Sequence, residues 1–346
     1  MRALKLVGPG QLELQEVPVP EIGDDDILVK VAAAGLCHSD LHIMEQGDEW
    51  PFFGTTMGHE TSGHVEAKGA NVTTFTIGDP VLVRAVWACA ECRPCRLGRE
   101  NACAVNGSRS VFPLTPGIGA DGGMADFIRV DAQHADALGD IDPRTAAPLA
   151  DAGLTPMHAI KNSRHLLEDN ATAVVIGFGG LGHMAVQILE AITDATIIVV
   201  EPDEAKRAAA LKAGAEVALS PGNDAVATIL EKTDGYGVDV VYDFVGAQVT
   251  LDTAAAVVAP EGAIRVVGLA DGSLTVYASL EGERLPWGVD VQRAYGGTST
   301  DQTDVLRLAS GGSIAVETVT YPLTDALRAF DDLAAGRISG RAVLIP

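Results

Sequence analysis

Four cysteines, Cys89, Cys92, Cys95 and Cys103, stand in a C-x2-C-x2-C-x7-C spacing. Four thiolates in one short loop can close a tetrahedral shell around zinc, and such a closed shell cross-links the loop without leaving a position for substrate. Disulfides and an iron–sulfur cluster are the rival uses. Clustered cysteines in an intracellular chain more often bind metal than pair. A fifth cysteine, Cys37, lies in Gly35-Leu36-Cys37-His38-Ser39-Asp40-Leu41-His42, and Gly58-His59-Glu60 follows. A catalytic zinc takes three protein ligands and keeps one position open. Cys37 and His59 supply two of the three. Their spacing alone equally fits a buried free thiol and an ordinary surface histidine.

A second chemistry-bearing motif begins at Ala173. Ala173-Val174-Val175-Ile176 is an apolar strand that runs into Gly177-Phe178-Gly179-Gly180-Leu181-Gly182, a G-x-G-x-x-G pattern. In this pattern the first glycine turns the chain, the second admits a pyrophosphate to the backbone, and the third lets helix and strand pack closely. Gly180 and Leu181 open the helix, whose free N–H groups and positive dipole end face the phosphates. Glu201 ends the next apolar run, at the distance where a carboxylate accepts hydrogen bonds from a ribose diol and repels a 2′-phosphate. Pro202, Asp203 and Glu204 supply no cation beside it, so the expected cofactor is NAD rather than NADP, unless Arg207 turns back toward the phosphate.

The elements that must carry these residues change character along the chain. Up to about residue 150 the sequence is rich in Gly and Pro, with short strands at Ile27–Ala33 and Val81–Val86. From Ala171 it alternates regularly. Strands are expected at Ala173–Ile176, Thr196–Val200, Val238–Asp243 and Ala263–Val267. Helices are expected at Leu181–Ala191, Asp203–Ala213, Ala225–Lys232 and Val249–Val258, with Gly214 as a stop. Such alternation predicts a parallel sheet covered on both faces. After about Tyr295 the rhythm breaks, and Val343–Ile345 reads as a closing strand.

Length and composition set the outer limits. The 346 residues suffice for about two domains. A formal net charge of −23 argues against nucleic acid or an anionic membrane as partner. Only seven Lys accompany seventeen Arg; a salt-adapted source and a merely well-solvated acidic surface both fit. The first ten residues carry no signal-peptide pattern, and the uncharged run Ala171–Leu189 is broken by glycines, so the expected compartment is the cytoplasm.

Taken in order, these motifs resemble the zinc-dependent medium-chain alcohol dehydrogenases. The resemblance rests on G-L-C-H-S-D-L-H at 35–42, G-H-E at 58–60, the four-cysteine loop, and A-A-P-L-A-D-A-G-L-T at 146–155. G-F-G-G-L-G at 177–182 and S-G-R-A-V-L at 339–344 complete it. It implies an α/β protein with a GroES-like, mostly β catalytic domain over 1–152 and 290–346. A doubly wound Rossmann domain over 153–289 would be inserted in it. It implies two zinc ions per chain, one structural and one catalytic. Cys37, His59 and Asp151 would hold the catalytic ion, with Asp151 standing where many members carry cysteine. Glu60 would lie behind these ligands or exchange with one, and Asp40 would orient the His59 ring. Ser39 and His42 would pass the alcohol proton toward solvent by way of the nicotinamide ribose. His38 and Arg341 would face the pyrophosphate, Lys206 the adenosine ribose and Thr155 the nicotinamide. Val267 and Leu269 would offer backbone to the carboxamide.

The implied activity is reversible NAD-linked oxidation of primary or secondary alcohols to aldehydes or ketones, in a homodimer or homotetramer. Trp50, Trp87, Trp287 and Tyr295 are the candidate walls of an apolar substrate pocket, although large aromatics are often simply core. The alternatives are a polyol or sugar dehydrogenase of the same superfamily and a non-catalytic NAD-binding protein on the same fold.

Overall fold

The computed structural model describes residues 1–278 and 285–346. The chain divides into two compact units, one formed by Met1–Leu154 with Gly296–Pro346, the other by Thr155–Tyr295. The mixed β and α/β pattern is that of a GroES-like domain and a Rossmann domain.

In the first unit the strand Asp26–Gly35 is the organiser. It pairs antiparallel with Glu60–Lys68, with Phe127–Asp131 and with Arg341–Ile345. The sheet continues through Pro80–Val83 to Ala135–Ala137 on one side and to Thr318–Pro322 on the other. Leu4, Leu6, Ile27, Val29, Val81, Met124 and Ile128 are buried together beneath it. The end of the organising strand matters for the site. Gly35 is paired with Glu60 on one side and Val343 on the other, which brings the C-terminal strand and its Arg341 to the row that holds Glu60. A Cβ at Gly35 would collide with the Glu60 carboxylate, so only glycine lets that side chain lie across the sheet.

The second unit has six parallel strands in the order Val217–Leu219, Thr196–Val200, Thr172–Ile176, Val238–Asp243, Val258–Val266, Asp290–Arg293. This is the 3-2-1-4-5-6 order of dinucleotide-binding folds. Val174, Val175, Ile198, Val199, Val240 and Val241 are wholly buried, as strands covered on both faces require. Two of the six strands were not anticipated. Val217–Leu219 is short and half-buried, and Asp290–Arg293 is a largely exposed edge with only one apolar residue. The latter pairs with Ala263–Val266, so residues 290–295 belong to the second unit and the expected boundary at 289/290 moves to 295/296. Among the described residues, no helix is long and apolar enough to cross a membrane.

Candidate active site

The strand Asp26–Gly35 ends two residues before Cys37, which caps the helix His38–Met44. Asp40, wholly buried three residues into this turn, does two things with one carboxylate. Its Oδ2 accepts the Cys37 backbone N–H at 2.9 Å, and its Oδ1 lies 3.1 Å from His59 Nδ1. With the Nδ1 proton directed at Asp40, the lone pair of Nε2 faces the other way. There it meets Asp151 Oδ2 at 3.6 Å, and the same oxygen lies 3.5 Å from Cys37 Sγ. The donor atoms of Cys37, His59 and Asp151 all fall within 4.8 Å of one another. Ser39 Oγ is 3.4 Å from His59 Nε2, at the edge of the cluster.

The electrostatics of this cluster call for a cation. Burial alone would lower the His59 pKa, but Asp40, Asp151 and Cys37 together hold it well above its ordinary value. One soft sulfur, one imidazole nitrogen and one carboxylate oxygen, with the imidazole oriented from behind by a carboxylate, form a donor set that suits zinc.

Glu60 is not among these converging donors. Its carboxylate lies wholly buried, where burial pushes its pKa up to about 7 against the opposing pull of Arg341. An isolated buried carboxylate is costly, and Arg341 answers it: Nε donates to Glu60 Oε2 at 3.0 Å and Nη2 to Oε1, while the Ala152 N–H donates to Oε1 at 3.2 Å. Arg341 Nη2 also reaches Asp151 Oδ2 at 3.3 Å. Glu60 therefore braces the cluster from behind, one of its two expected places, and the buried Arg341 guanidinium is engaged by Glu60 and Asp151. The Ala152 contact and the Arg341–Asp151 contact left no signal in the sequence.

The four-cysteine loop closes in the same unit, with Cys89, Cys92, Cys95 and Cys103 grouped at metal-holding distances. All five cysteines are free thiols, which sets the disulfide alternative aside. Backbone N–H groups point at the sulfurs: Cys92 N to Cys89 Sγ at 3.3 Å, and Cys89 N and Asn106 N to Cys103 Sγ at 3.4 Å. The N–H groups of Cys95 and Ala104 pull the Cys92 thiol down to about 6, while burial and the neighbouring thiols push Cys95 up to about 12. Four thiols this close resist joint ionisation unless a cation shares their charge.

In the second unit the glycine motif joins strand Thr172–Ile176 to helix Gly180–Ile192, capped at Gly179. A Cβ at Gly182 would overlap the Gly177 carbonyl oxygen, so glycine here is a packing requirement; at Gly179 a Cβ would meet nothing, leaving the backbone open to a ligand. Glu201 accepts from the Phe178 N–H at 2.7 Å and the Asp203 N–H at 3.1 Å, which fastens the second strand's end to the glycine loop. Arg207 turns back, but its Nη1 donates to the Glu201 and Pro202 carbonyl oxygens at 2.8 and 2.6 Å. Lys206 is half-buried on the same helix and Thr155 is buried. The Val267 N–H is taken by the Asp243 carbonyl at 2.8 Å, and Leu269 is exposed. Asp243 is a residue that sequence reasoning missed. Wholly buried, it accepts from the Val245 and Gly246 N–H groups and from Thr250 Oγ1, shaping the turn that follows its strand. Its place at a strand's C-terminal end was the available signal.

His38 is exposed and His42 half-exposed on their helix. Of the aromatic candidates, Trp287 is 75% exposed, which corrects its assignment as a pocket wall. Tyr295 is half-buried, Trp50 packs edge-on against Phe52, and Trp87 stacks on His134 with ring centroids 5.7 Å apart and planes at 6°. Burial, with Arg84 adding and Asp131 opposing, pushes the His134 pKa down to about 4. Below the usual histidine value of about 6.5 an unfolded chain takes up a proton that the folded chain refuses until about pH 4. The stability tied to His134 is therefore complete above that upper value and is lost as pH falls toward the lower one. The loss is of order 3 kcal/mol. His134→Phe, which keeps the stack, should flatten this part of the acid limb in urea midpoints measured from pH 4 to 7. An unchanged limb would place the pH dependence elsewhere.

Comparison with known proteins agrees with this geometry. Residues 23–140 match the Alcohol dehydrogenase GroES-like domain and residues 180–311 the Zinc-binding dehydrogenase family. The chain is 34% identical to an NAD-dependent alcohol dehydrogenase of Sulfurisphaera tokodaii over the full length of both. It is 32% identical to a D-arabinose 1-dehydrogenase (NADP(+)) of Saccharolobus solfataricus, covering 97% of this chain and 94% of that one. The solved alcohol dehydrogenase of Aeropyrum pernix superposes with a TM-score of 0.88 at 31% identity, covering 100% of both chains. Fold and site define a two-domain oxidoreductase. The chain belongs to the zinc-dependent medium-chain dehydrogenase family, whose members among these relatives act on alcohols or sugars with NAD or NADP.

Proposed function

We propose that this chain is an NAD-dependent zinc alcohol dehydrogenase that interconverts primary or secondary alcohols with aldehydes or ketones. The observation that carries this reading is the convergence of Cys37, His59 and Asp151, three donors of a catalytic rather than a closed zinc set. Bound there, zinc would act as a Lewis acid on the alcohol oxygen, and the nicotinamide would accept hydride. The chain's own residues do the rest. Asp40 fixes the His59 tautomer, and Arg341 with Glu60 holds Asp151 in place. Ser39, both donor and acceptor, receives the alcohol proton at the cluster's edge. His42, three residues along the same helix and in contact with solvent, is suited to release it. The four thiols would hold a second, structural zinc.

The Glu201 carboxylate and the engagement of Arg207 by main-chain carbonyls favour NAD. The NADP-linked D-arabinose relative sustains a second reading, sugar oxidation. A kinetic panel of secondary alcohols, benzyl alcohol, sorbitol and aldopentoses, each with NAD and with NADP, separates the two. Turnover confined to sugars would replace the alcohol reading. Glu201→Ala should shrink the NAD:NADP preference by about tenfold or more, the value of one charge-assisted hydrogen bond. An unmoved ratio would take the ribose contact away from Glu201.

A further inference from the structure

Beside the cysteine loop the first unit forms a partly open cavity of about 240 Å³, lined in part by Val86, Ala88, Glu100, His134, Leu154 and Gln302. None of Cys37, His59 and Asp151 lines it. Two buried acceptors in its wall meet no donor from the described residues. Glu100 Oε1 takes the Ser299 hydroxyl at 2.7 Å, but Glu100 Oε2 is unmatched. Gln302, 1% exposed, donates through Nε2 to the Leu149 carbonyl at 3.2 Å, but its Oε1 is unmatched. Buried acceptors of this kind destabilise a fold unless a donor reaches them.

The local charge says what kind of donor. The Arg84 guanidinium is spent on Asp136, which it grips with Nε at 2.8 Å and Nη2 at 2.6 Å. His134 is neutral at ordinary pH. Arg84, which also lines the cavity, feels Glu100 as well, so one cation serves two carboxylates and the group keeps a net negative charge. Val86, Ala88 and Leu154 give the wall an apolar part, beside the polar Gln133, Thr298 and Ser299. The volume equals the share of roughly eight waters at about 30 Å³ each, enough for a charged head with a few carbons.

We propose that this cavity is a binding site for a small primary ammonium carried on a short alkyl chain. Its N–H groups donate to Glu100 Oε2 and Gln302 Oε1, and its carbons lie on the apolar wall. A neutral hydroxyl would satisfy the acceptors but leave the Glu100 charge unmatched.

Trp87 reports on the site, because its indole stacks on the His134 ring that lines the cavity. In the intact chain carrying Trp50→Phe and Trp287→Phe, propylammonium chloride is titrated against sodium chloride at constant ionic strength. Trp87 emission and melting temperature are the readouts. The expected result is a saturable emission change with a rise in melting temperature. Glu100→Gln should weaken the apparent affinity about tenfold or more, and Gln302→Met several-fold. Tetramethylammonium, which has the charge but no N–H, should give no response. The proposal is overturned if sodium chloride or tetramethylammonium reproduces the response, if propylammonium gives none, or if neither variant weakens it. Should Glu100→Gln fail to fold, Gln302→Met and the tetramethylammonium arm decide the matter.

Discussion

Cys37→Ser is expected to lower kcat/KM for alcohol oxidation by about a thousandfold or more, since a Lewis acid contributes several kcal/mol to the barrier. It should also halve the zinc content from two ions per chain to one, as read by metal analysis. The size of the effect follows from geometry. Cys37 supplies the thiolate of a three-donor set whose atoms lie within 4.8 Å, and serine is both a poorer anion and a harder ligand. The remaining zinc should stay with the four cysteines, whose sulfurs are organised by their own backbone N–H groups. Unchanged zinc together with unchanged turnover in Cys37→Ser would refute the catalytic assignment. Loss of both ions would mean that the two sites fold as one.

Arg341→Met should destabilise the first unit by about 3–5 kcal/mol, the usual effect of stranding one member of a buried ion pair. Glu60 is wholly buried and Arg341 is 3% exposed, so water cannot easily replace the guanidinium. The double variant Glu60→Gln, Arg341→Met should recover part of that loss, because it leaves no uncompensated charge. Urea unfolding in a Trp287→Phe background, where Trp50 and Trp87 report on the first unit, measures both. A loss below about 1 kcal/mol in the single variant would show that solvent reaches Glu60 after all.

Much of this was legible before any coordinates. The inner strands of the second unit read clearly because burial on both faces forces unbroken runs such as Thr196–Val200. The edge strand Asp290–Arg293 did not, because an exposed edge needs no apolar pattern. The cysteine loop announced itself through local spacing. The grouping of Cys37, His59 and Asp151 spans 114 residues and came only from family likeness, since sequence distance carries no information about such a contact. The Glu60–Arg341 pair, 281 residues apart, is the extreme case. Motif comparison marked both residues but not the contact that sets their roles. What decides those roles is depth: a carboxylate sealed beneath a sheet must find a cation, whereas one at the cluster's rim is available to a metal. Trp287 shows the converse, a large ring whose type suggested a wall and whose exposure denies it.

The path of the chain through the first unit has a consequence for biosynthesis. The strand Arg341–Ile345 pairs with Asp26–Gly35, so the sheet is closed by residues made more than 300 positions after its organising strand. While a ribosome is still translating, Cys37 and His59 are already outside it, but their brace is not. The second unit, contiguous in sequence, can fold on the nascent chain first. Metal capture at the three-donor cluster should therefore follow folding of the second unit, and a stop codon placed just before Arg341 should yield protein that retains its dinucleotide fold while failing to mature.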